Sequence, residues 1–241
     1  MRWIRALCSV SLLLAAASFT SLHAQSSAAS DPPTAATGPR VTFAFERKGL
    51  AVPKYQLIIN KDATGAYQGE VVQHASGAGV SAQMPAQEFH RPVNISAATV
   101  ARIFKLADQL DHFNKTCASK AKNIADSGTK TLTYSGPDGT GSCTYNYSEL
   151  KDVQALTDIF QAIAETMDQG RELDHLHRYD RLGLDAALKS LSEELAGGRA
   201  LEIGTIATSL HSIATDPEVM ERVRTRASAM LAQVNGSASS R

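Results

Sequence analysis

The stretch Val41-Thr42-Phe43-Ala44-Phe45 places a large apolar side chain at every second residue. Successive side chains of a strand point to opposite faces of a sheet, so this period of two predicts a strand with one buried face. The same alternation returns over 55–59, the turn residues 62–65 follow, and 66–72 predicts a third strand. The folded part of the chain therefore begins with a three-stranded meander.

A helix and a hairpin are predicted next. Residues 74–92 contain several glycines and prolines, which is typical of a loop, and Ser96 is a typical helix N-cap. Behind Ser96, apolar residues recur at the spacing of one helix face. They are Val100, Ile103, Phe104, Ala107, Leu110 and Phe113. The segments 130–135 and 142–147 then predict two strands, joined by the turn 136–141.

A second helix, with Ser148 as its predicted cap, carries an apolar stripe that reaches Met167. Three strands, a helix, two strands and a helix form the pattern of an α+β fold. We therefore expect a small, largely antiparallel sheet that is covered on one face by two helices. An all-helical C-terminal extension follows it.

The extension consists of helical patterns only. Its first helix has leucines at residues 184, 188, 191 and 195 and ends at Gly197-Gly198, as helices commonly end at glycine. Asp216-Pro217 predicts the start of the last helix, because proline suits the first helical position. The segments 200–214 and 217–234 together resemble a single HEAT-like hairpin, although repeat arrays of that kind need about three units for stability.

The first 24 residues have the features of a secretory signal. Arg2 and Arg5 precede an apolar run over 6–17, and Ala24 is the small residue that signal peptidase prefers at its cleavage point. We therefore expect cleavage after Ala24 and a secreted or periplasmic mature protein.

The predicted organisation has five parts. Residues 1–24 form the signal peptide, and 25–40 form a flexible linker that is rich in Ala, Ser, Thr and Pro. Residues 41–170 form the α+β domain, 171–234 the helical extension, and 235–241 a disordered polar tail.

Net charge and hydropathy limit the possible partners. The full chain has 24 basic and 24 acidic residues, and loss of Arg2 and Arg5 leaves 22 against 24, a net charge of −2. Phosphate binding needs an excess of Lys and Arg, so no nucleic-acid partner is expected. No second apolar run approaches the roughly 20 residues that cross a bilayer, so no stable membrane insertion is expected either.

Cys117 and Cys143 remain once Cys8 is removed with the signal. Two cysteines in an oxidising compartment predict a disulfide, and two unpaired buried thiols are the alternative. The bond would close a loop of about 27 residues and stabilise the fold by roughly 3.5 kcal/mol in the chain-entropy model. It would attach the end of the first helix to the second strand of the hairpin.

The densest polar cluster contains Asp174, His175, His177 and Asp180. On a helix, His177 shares a face with each of the two aspartates, and imidazoles and carboxylates at that spacing can bind zinc or a similar divalent ion. The alternative is a solvated helix junction, in which Asp174 and Arg178 form an ordinary ion pair.

Three tyrosines of the predicted hairpin, Tyr134, Tyr145 and Tyr147, are candidates for a binding surface. If the helices cover one face of the sheet, tyrosines on the other face would form an exposed amphipathic patch, which is common at recognition surfaces. The alternative is that these side chains complete the core, with their hydroxyl groups at its rim.

The order of elements over 41–167 resembles that of a family of uncharacterised exported bacterial domains. The resemblance rests on Phe45-Glu46-Arg47 at the end of the first strand, on Pro53, and on the aromatic-led strand 55–59, followed by Tyr67 and Gly69. The family usually has a cysteine pair just before the proline. Here the turn is Lys48-Gly49-Leu50-Ala51-Val52, so any site built by those cysteines is absent. The resemblance implies export and lends no activity.

No catalytic motif is present: the chain has no G-x-S-x-G stretch, and the glycines of 136–141 lack the lysine and helix of a phosphate loop. We therefore expect an exported, non-enzymatic interaction or envelope-associated protein without a cofactor. Its partner would be an unidentified protein or glycan in the envelope or extracellular space. The alternative is a divalent-metal-binding protein or metal-dependent hydrolase that uses the Asp/His cluster.

Overall fold

Six antiparallel strands form one sheet in the computed structural model, which describes residues 38–72 and 86–239, with side chains to residue 234. The strands are β1 (Arg40–Glu46), β2 (Lys54–Asn60), β3 (Thr64–Val71), β4 (Gln87–Asn94), β5 (Thr129–Gly136) and β6 (Gly139–Tyr145). Their order across the sheet is β4-β3-β2-β1-β5-β6. The predicted α+β class and antiparallel sheet are confirmed.

The strand β4 corrects the prediction that 74–92 is a loop. It pairs with β3 at the edge of the sheet, with Pro92 opposite Ala66. Of its side chains only Val93 is fully buried, so the segment has little apolar alternation. Proline cannot donate a hydrogen bond, but an edge strand tolerates it. The part of the predicted loop at 73–85 lies outside the described residues.

Two helices, α1 (Ala97–Gln109) and α2 (Lys151–Tyr179), cover one face of the sheet. The predicted apolar stripe of α1 is buried, and Ser96 caps the helix by accepting the N–H of Thr99. The predicted cap of α2 was wrong by two residues. Leu150 is the N-cap, and Ser148 instead accepts the N–H of Leu150 in a turn before the helix.

The helix α2 crosses the strands of the sheet from one edge to the other. Near its start Thr157 contacts Tyr145 of β6, and one turn later Phe160 stacks on Phe43 of β1, with 5.3 Å between ring centroids. Further along, Asp168 contacts Tyr67 of β3. This one helix therefore buries apolar side chains of both halves of the sheet.

Three more helices complete the chain: α3 (Leu184–Ala196), α4 (Ala207–Thr215) and α5 (Glu221–Ser239). Gly197 is the C-cap of α3, which confirms the predicted end at the glycine pair. The predicted start of the last helix at Asp216-Pro217 was wrong. There the carbonyl of Asp216 accepts the N–H of Val219 and its carboxylate accepts the N–H of Glu218, so these residues form a turn.

The boundary between residues 170 and 171 falls inside α2, and buried residues on both sides belong to one hydrophobic core. All described residues accordingly fall in one compact unit. Glu202, in the loop after α3, accepts hydrogen bonds from the backbone N–H and hydroxyl of Ser96 at 2.8 and 2.7 Å. Thr166 of α2 holds the same loop through both the N–H and the carbonyl of Leu201.

The remaining predictions for the chain ends are tested only in part. The signal peptide and residues 25–37 of the linker lie outside the described residues, and Arg40 already belongs to β1. The backbone of α5 continues to Ser239, so the segment predicted as a disordered tail is helical over most of its length. Among the described residues, no helix is long and apolar enough to cross a membrane.

The disulfide Cys117–Cys143 is present, with 5.8 Å between the two Cα atoms. Cys117 follows the short 3₁₀ helix Asp111–Phe113, and Cys143 lies in β6 on the face toward the helices. The bond therefore attaches the chain after α1 to the edge strand, as the sequence predicted.

We expect Gly170→Ala to destabilise the fold, although alanine normally stabilises a helix interior by about 1 kcal/mol relative to glycine. A Cβ atom on Gly170 would overlap Ile206, which packs directly against α2 there. Overpacking of this kind costs about 1–3 kcal/mol. Urea unfolding would measure the free energy, and the double variant Gly170→Ala/Ile206→Ala should lose less than the sum of the two single losses. A stabilised Gly170→Ala protein would contradict the close contact.

Candidate functional site

The face of the sheet opposite the helices is uncovered among the described residues and carries polar side chains. In each strand the residues between the buried ones point to this open face, and they are mostly half-buried or exposed. Facing side chains bond across neighbouring strands: Gln68 donates to Gln56 at 2.8 Å, and the hydroxyls of Thr131 and Thr144 are 2.9 Å apart. The open face is therefore a continuous hydrogen-bonding surface.

One end of the open face forms a concavity of about 680 Å³. Four charged side chains from four neighbouring strands line it in a row, each opposite the next in the strand register. They are Glu88 of β4, Glu70 of β3, Lys54 of β2 and Glu46 of β1. Gln56, Gln68 and His90 form the next row of the lining. With His90 neutral, the lining carries a net charge of −2.

Glu70 and Glu88 lie directly opposite each other on adjacent antiparallel strands. Like charges in that position destabilise a sheet. Within the described part of the chain, no Lys or Arg nitrogen lies within 4 Å of either carboxylate, although Lys54 is the register neighbour of Glu70 on its other side. Two neighbouring carboxylates in a concave surface, with no ion pair to a described Lys or Arg within 4 Å, are available to a positively charged ligand.

The structure overturns the predicted binding surface of Tyr134 and Tyr145. Both face the helices and are buried, with 2% and 4% of their surface exposed, whereas Tyr147 is 45% exposed beyond the end of β6. The hydroxyl groups of Tyr145 and Thr157 are 2.6 Å apart, and burial raises the pKa of Tyr145 to about 12. Because Cys143 and Tyr145 share one face of β6, the predicted disulfide to the helix already implied that Tyr145 is buried.

The Asp/His cluster does not form a metal site. Its four side chains have four separate surroundings. Asp174 binds Arg91 of β4 at 2.8 Å, His177 binds Asp216 at 2.8 Å, His175 packs on Tyr179, and Asp180 accepts the N–H of Gly183. The described residues contain no group of three or more His, Cys, Asp or Glu side chains that could hold a metal ion. The predicted Asp174–Arg178 pair also gives way to the tertiary contact with Arg91.

A second polar cluster lies beside the disulfide, where three consecutive non-glycine residues, Asp111, His112 and Phe113, have positive φ angles of 54°, 51° and 67°. The imidazole of His112 stacks on Tyr134 with 4.0 Å between ring centroids, and its Nε2 lies 3.2 Å from Asp108. Tyr134 donates to Asp138 at 2.6 Å. This backbone conformation is strained and is held by the contacts on both sides, so the cluster fastens the β5–β6 turn to α1.

A half-buried acid, Asp168, lies between α2 and the sheet. Asp168 accepts a hydrogen bond from the hydroxyl of Tyr67 at 3.0 Å and contacts Arg171 at 3.3 Å. Burial raises the pKa of the Asp168 carboxyl above its ordinary value, although Arg171 and Tyr67 act in the opposite direction. This group joins the helix to β3, on the face opposite the concavity.

Sequence reasoning missed the acidic row because it depends on strand register. The alternation of β1 and β2 showed that Glu46 and Lys54 point away from the buried side chains, but it did not say which residues lie opposite them. Glu88 belongs to a strand that was not predicted.

No protein-family model matches the chain, and no curated protein or solved structure matches it either. The resemblance to exported bacterial domains therefore stays a prediction. Among the described residues, the chain is an α+β protein whose sheet has one face covered by helices and one open face with an acidic concavity.

We expect the difference in unfolding free energy between the wild type and Asp168→Asn to depend on pH. In the unfolded chain the Asp168 carboxyl has a pKa of about 3.9. Because the folded pKa is raised, the favourable contribution of the protonated group is complete below that pH and is lost as pH rises through the folded pKa. Urea unfolding between about pH 3 and pH 7 would measure the difference.

Asp62→Asn is the matched control, because hydrogen bonds from Thr64 lower the pKa of Asp62. The contribution of Asp62 is present above the unfolded pKa and is lost as pH falls through the folded one. As pH rises from about 3 to about 7, the difference in unfolding free energy between wild type and variant should therefore fall for Asp168→Asn and rise for Asp62→Asn. A change in the same direction for both variants would contradict the raised pKa of the Asp168 carboxyl.

We expect Glu88→Gln to stabilise the protein by about 0.2–1 kcal/mol, because it removes the like charge opposite Glu70. The gain should shrink in high salt, since the carboxylate of Glu88 is exposed. Glu172→Gln, an exposed change on the solvent side of α2, is the control and should have little effect. A destabilised Glu88→Gln protein at low salt would contradict the repulsion.

Proposed function

We propose that this is an exported, non-enzymatic binding protein whose open sheet face holds a lysine- or arginine-bearing segment of a protein partner. The observation that carries the proposal is the concavity lined by Glu46, Glu70 and Glu88, with Lys54 as the one opposing charge in its lining. A site in which carboxylates repel each other gains electrostatic energy when a cation lies between them.

The composition of the open face favours a protein partner over a glycan. Sugar-binding sites commonly stack a sugar ring on an aromatic side chain. Three aromatic residues of the described strands, Phe45, Tyr55 and Phe89, line the concavity, but Phe45 and Tyr55 are buried, with 6% and 8% of their surface exposed, and Phe89 packs on Tyr67, so they offer little ring surface for stacking. The open face instead offers hydroxyl, amide and carboxylate groups, which suit the main chain and cationic side chains of a peptide.

The shape of the concavity favours binding over catalysis. Its charged side chains Glu46, Lys54 and Glu88 are exposed to solvent. Catalytic groups gain most from sites that exclude water. An open surface with exposed charges of this kind is better suited to a polymer segment that lies across several strands.

Two features support an exported location for this function. The first 24 residues have the pattern of a signal peptide, and the Cys117–Cys143 disulfide is compatible with an oxidising compartment. A mature protein secreted or held in the periplasm would meet its partner in the envelope or outside the cell.

Fluorescence anisotropy with labelled peptides would test the proposal. The mature protein should bind a peptide of alternating lysine and threonine and should not bind the matched peptide of glutamate and threonine. Glu70→Gln/Glu88→Gln should weaken binding roughly tenfold at low salt, which corresponds to about 0.7 kcal/mol for each removed charge.

The control variant is Glu172→Gln/Glu221→Gln. It also removes two negative charges, but from exposed helix positions away from the open face. It should bind the lysine peptide like the wild type. Equal losses in both double variants would show non-specific attraction to net charge. That result, or no binding of the lysine peptide by the wild type, would overturn the proposal.

A further inference from the structure

The two edge strands of the sheet differ in the features that prevent pairing with another strand. The outer edge strand β4 contains Pro92 and the charged residues Glu88 and Arg91, which are features that block the addition of another strand. The other edge strand, β6, has the sequence Gly-Thr-Gly-Ser-Cys-Thr-Tyr and contains neither proline nor a charged residue. Natural sheets seldom leave such an edge unprotected unless it is paired.

The main-chain groups of β6 that point outward can be identified from the hydrogen-bond alternation. The bond from the N–H of Arg47 to the carbonyl of Pro53 fixes the phase between β1 and β2. Antiparallel strands alternate between bonded and non-bonded pairs, so the phase carries through β5 to β6. By this alternation the N–H and C=O groups of Thr140, Ser142 and Thr144 point away from β5.

The same alternation places the nitrogen of Pro92 on the outer side of β4. The bond from the N–H of Ile95 to the carbonyl of Ala63 continues the bonded pair Val93–Gly65, so Pro92 lies at an outward position. The missing N–H of proline therefore costs no bond within the sheet. On β6 the corresponding outward groups are intact, and among the described residues no backbone bond joins them to a segment outside the sheet.

The outward edge of β6 is complementary to itself. If a second copy runs antiparallel with the two Ser142 residues opposite each other, Thr140 of each copy lies opposite Thr144 of the other. This arrangement has two-fold symmetry, brings no like charges together, and forms about six main-chain hydrogen bonds. Threonine and serine hydroxyls already bond across strands on this face, at 2.9 Å for Thr131–Thr144 and 3.0 Å for Thr133–Ser142.

The edge is also held in a fixed conformation. Cys143 is bonded to Cys117, and the 3₁₀ helix that precedes Cys117 packs on Gly141, where a Cβ atom would overlap the carbonyl of His112. A preorganised strand loses little conformational entropy on pairing.

We propose that the protein forms a symmetric homodimer through antiparallel pairing of its β6 strands around Ser142, which joins the two sheets into one of twelve strands. The two open faces then lie on the same side of the joined sheet. The pairing does not depend on what the open face binds.

Sedimentation equilibrium of the mature protein with its disulfide intact would test the dimer. An edge-to-edge interface is small, so the measurement should cover about 10 μM to about 1 mM protein. The wild type should change from monomer to dimer mass over this range. Thr140→Lys/Thr144→Lys places lysine opposite lysine in the proposed register and should be monomeric throughout.

Thr140→Lys/Thr144→Glu changes the same two exposed positions but places lysine opposite glutamate, so it should keep the dimer. Both double variants lose the same two threonines, so a difference between them cannot come from the loss of threonine contacts. Circular dichroism would show that both variants are folded. A monomeric wild type at the highest concentration would overturn the proposal. A dimer that survives in the lysine–lysine variant, or is absent in the lysine–glutamate variant, would overturn it equally.

Discussion

The packing of α2 across the sheet is the interaction on which the rest of the structure depends. With 29 residues, α2 is about 43 Å long, which is enough to cross a six-stranded sheet. In its first half, Phe160 stacks on Phe43 of the central strand β1. Because the sheet has only one apolar face, this helix and α1 cover it, and no described residue outside the sheet covers the polar face. The far end of α2 then carries the remaining helices.

Polar groups on α2 fix how the helix lies on the sheet. Thr157 contacts Tyr145 near one edge, Asp168 contacts Tyr67 further along, and Asp174 pairs with Arg91 at the other edge. Apolar packing alone would allow the helix to slide, whereas these directional contacts specify its position. The aspartates and histidines that were predicted as a metal cluster therefore each contact a different partner.

The concavity gains its character from the absence of such contacts. Several half-buried charges elsewhere in the described chain have partners: Asp185 pairs with Arg226, Glu194 with Arg199, and Glu202 accepts hydrogen bonds at the start of α1. Glu70 and Glu88 instead face each other across two strands. This local departure from favourable electrostatics is the feature on which the proposed binding function rests.

Period-two alternation, helix periodicity and glycine stops predicted five of the six described strands and most helix positions, and two cysteines in an oxidising compartment predicted the disulfide. These signals are local, since they depend on residues within one or two turns of each other. The strand β4 was not predicted because its side chains show no apolar alternation. Its pairing with β3 holds it in the sheet. Which residues lie opposite each other and which carboxylates meet in the concavity were decided only by the tertiary structure. Strand register and helix placement arise from contacts between residues far apart in the chain, and no spacing in the sequence records them.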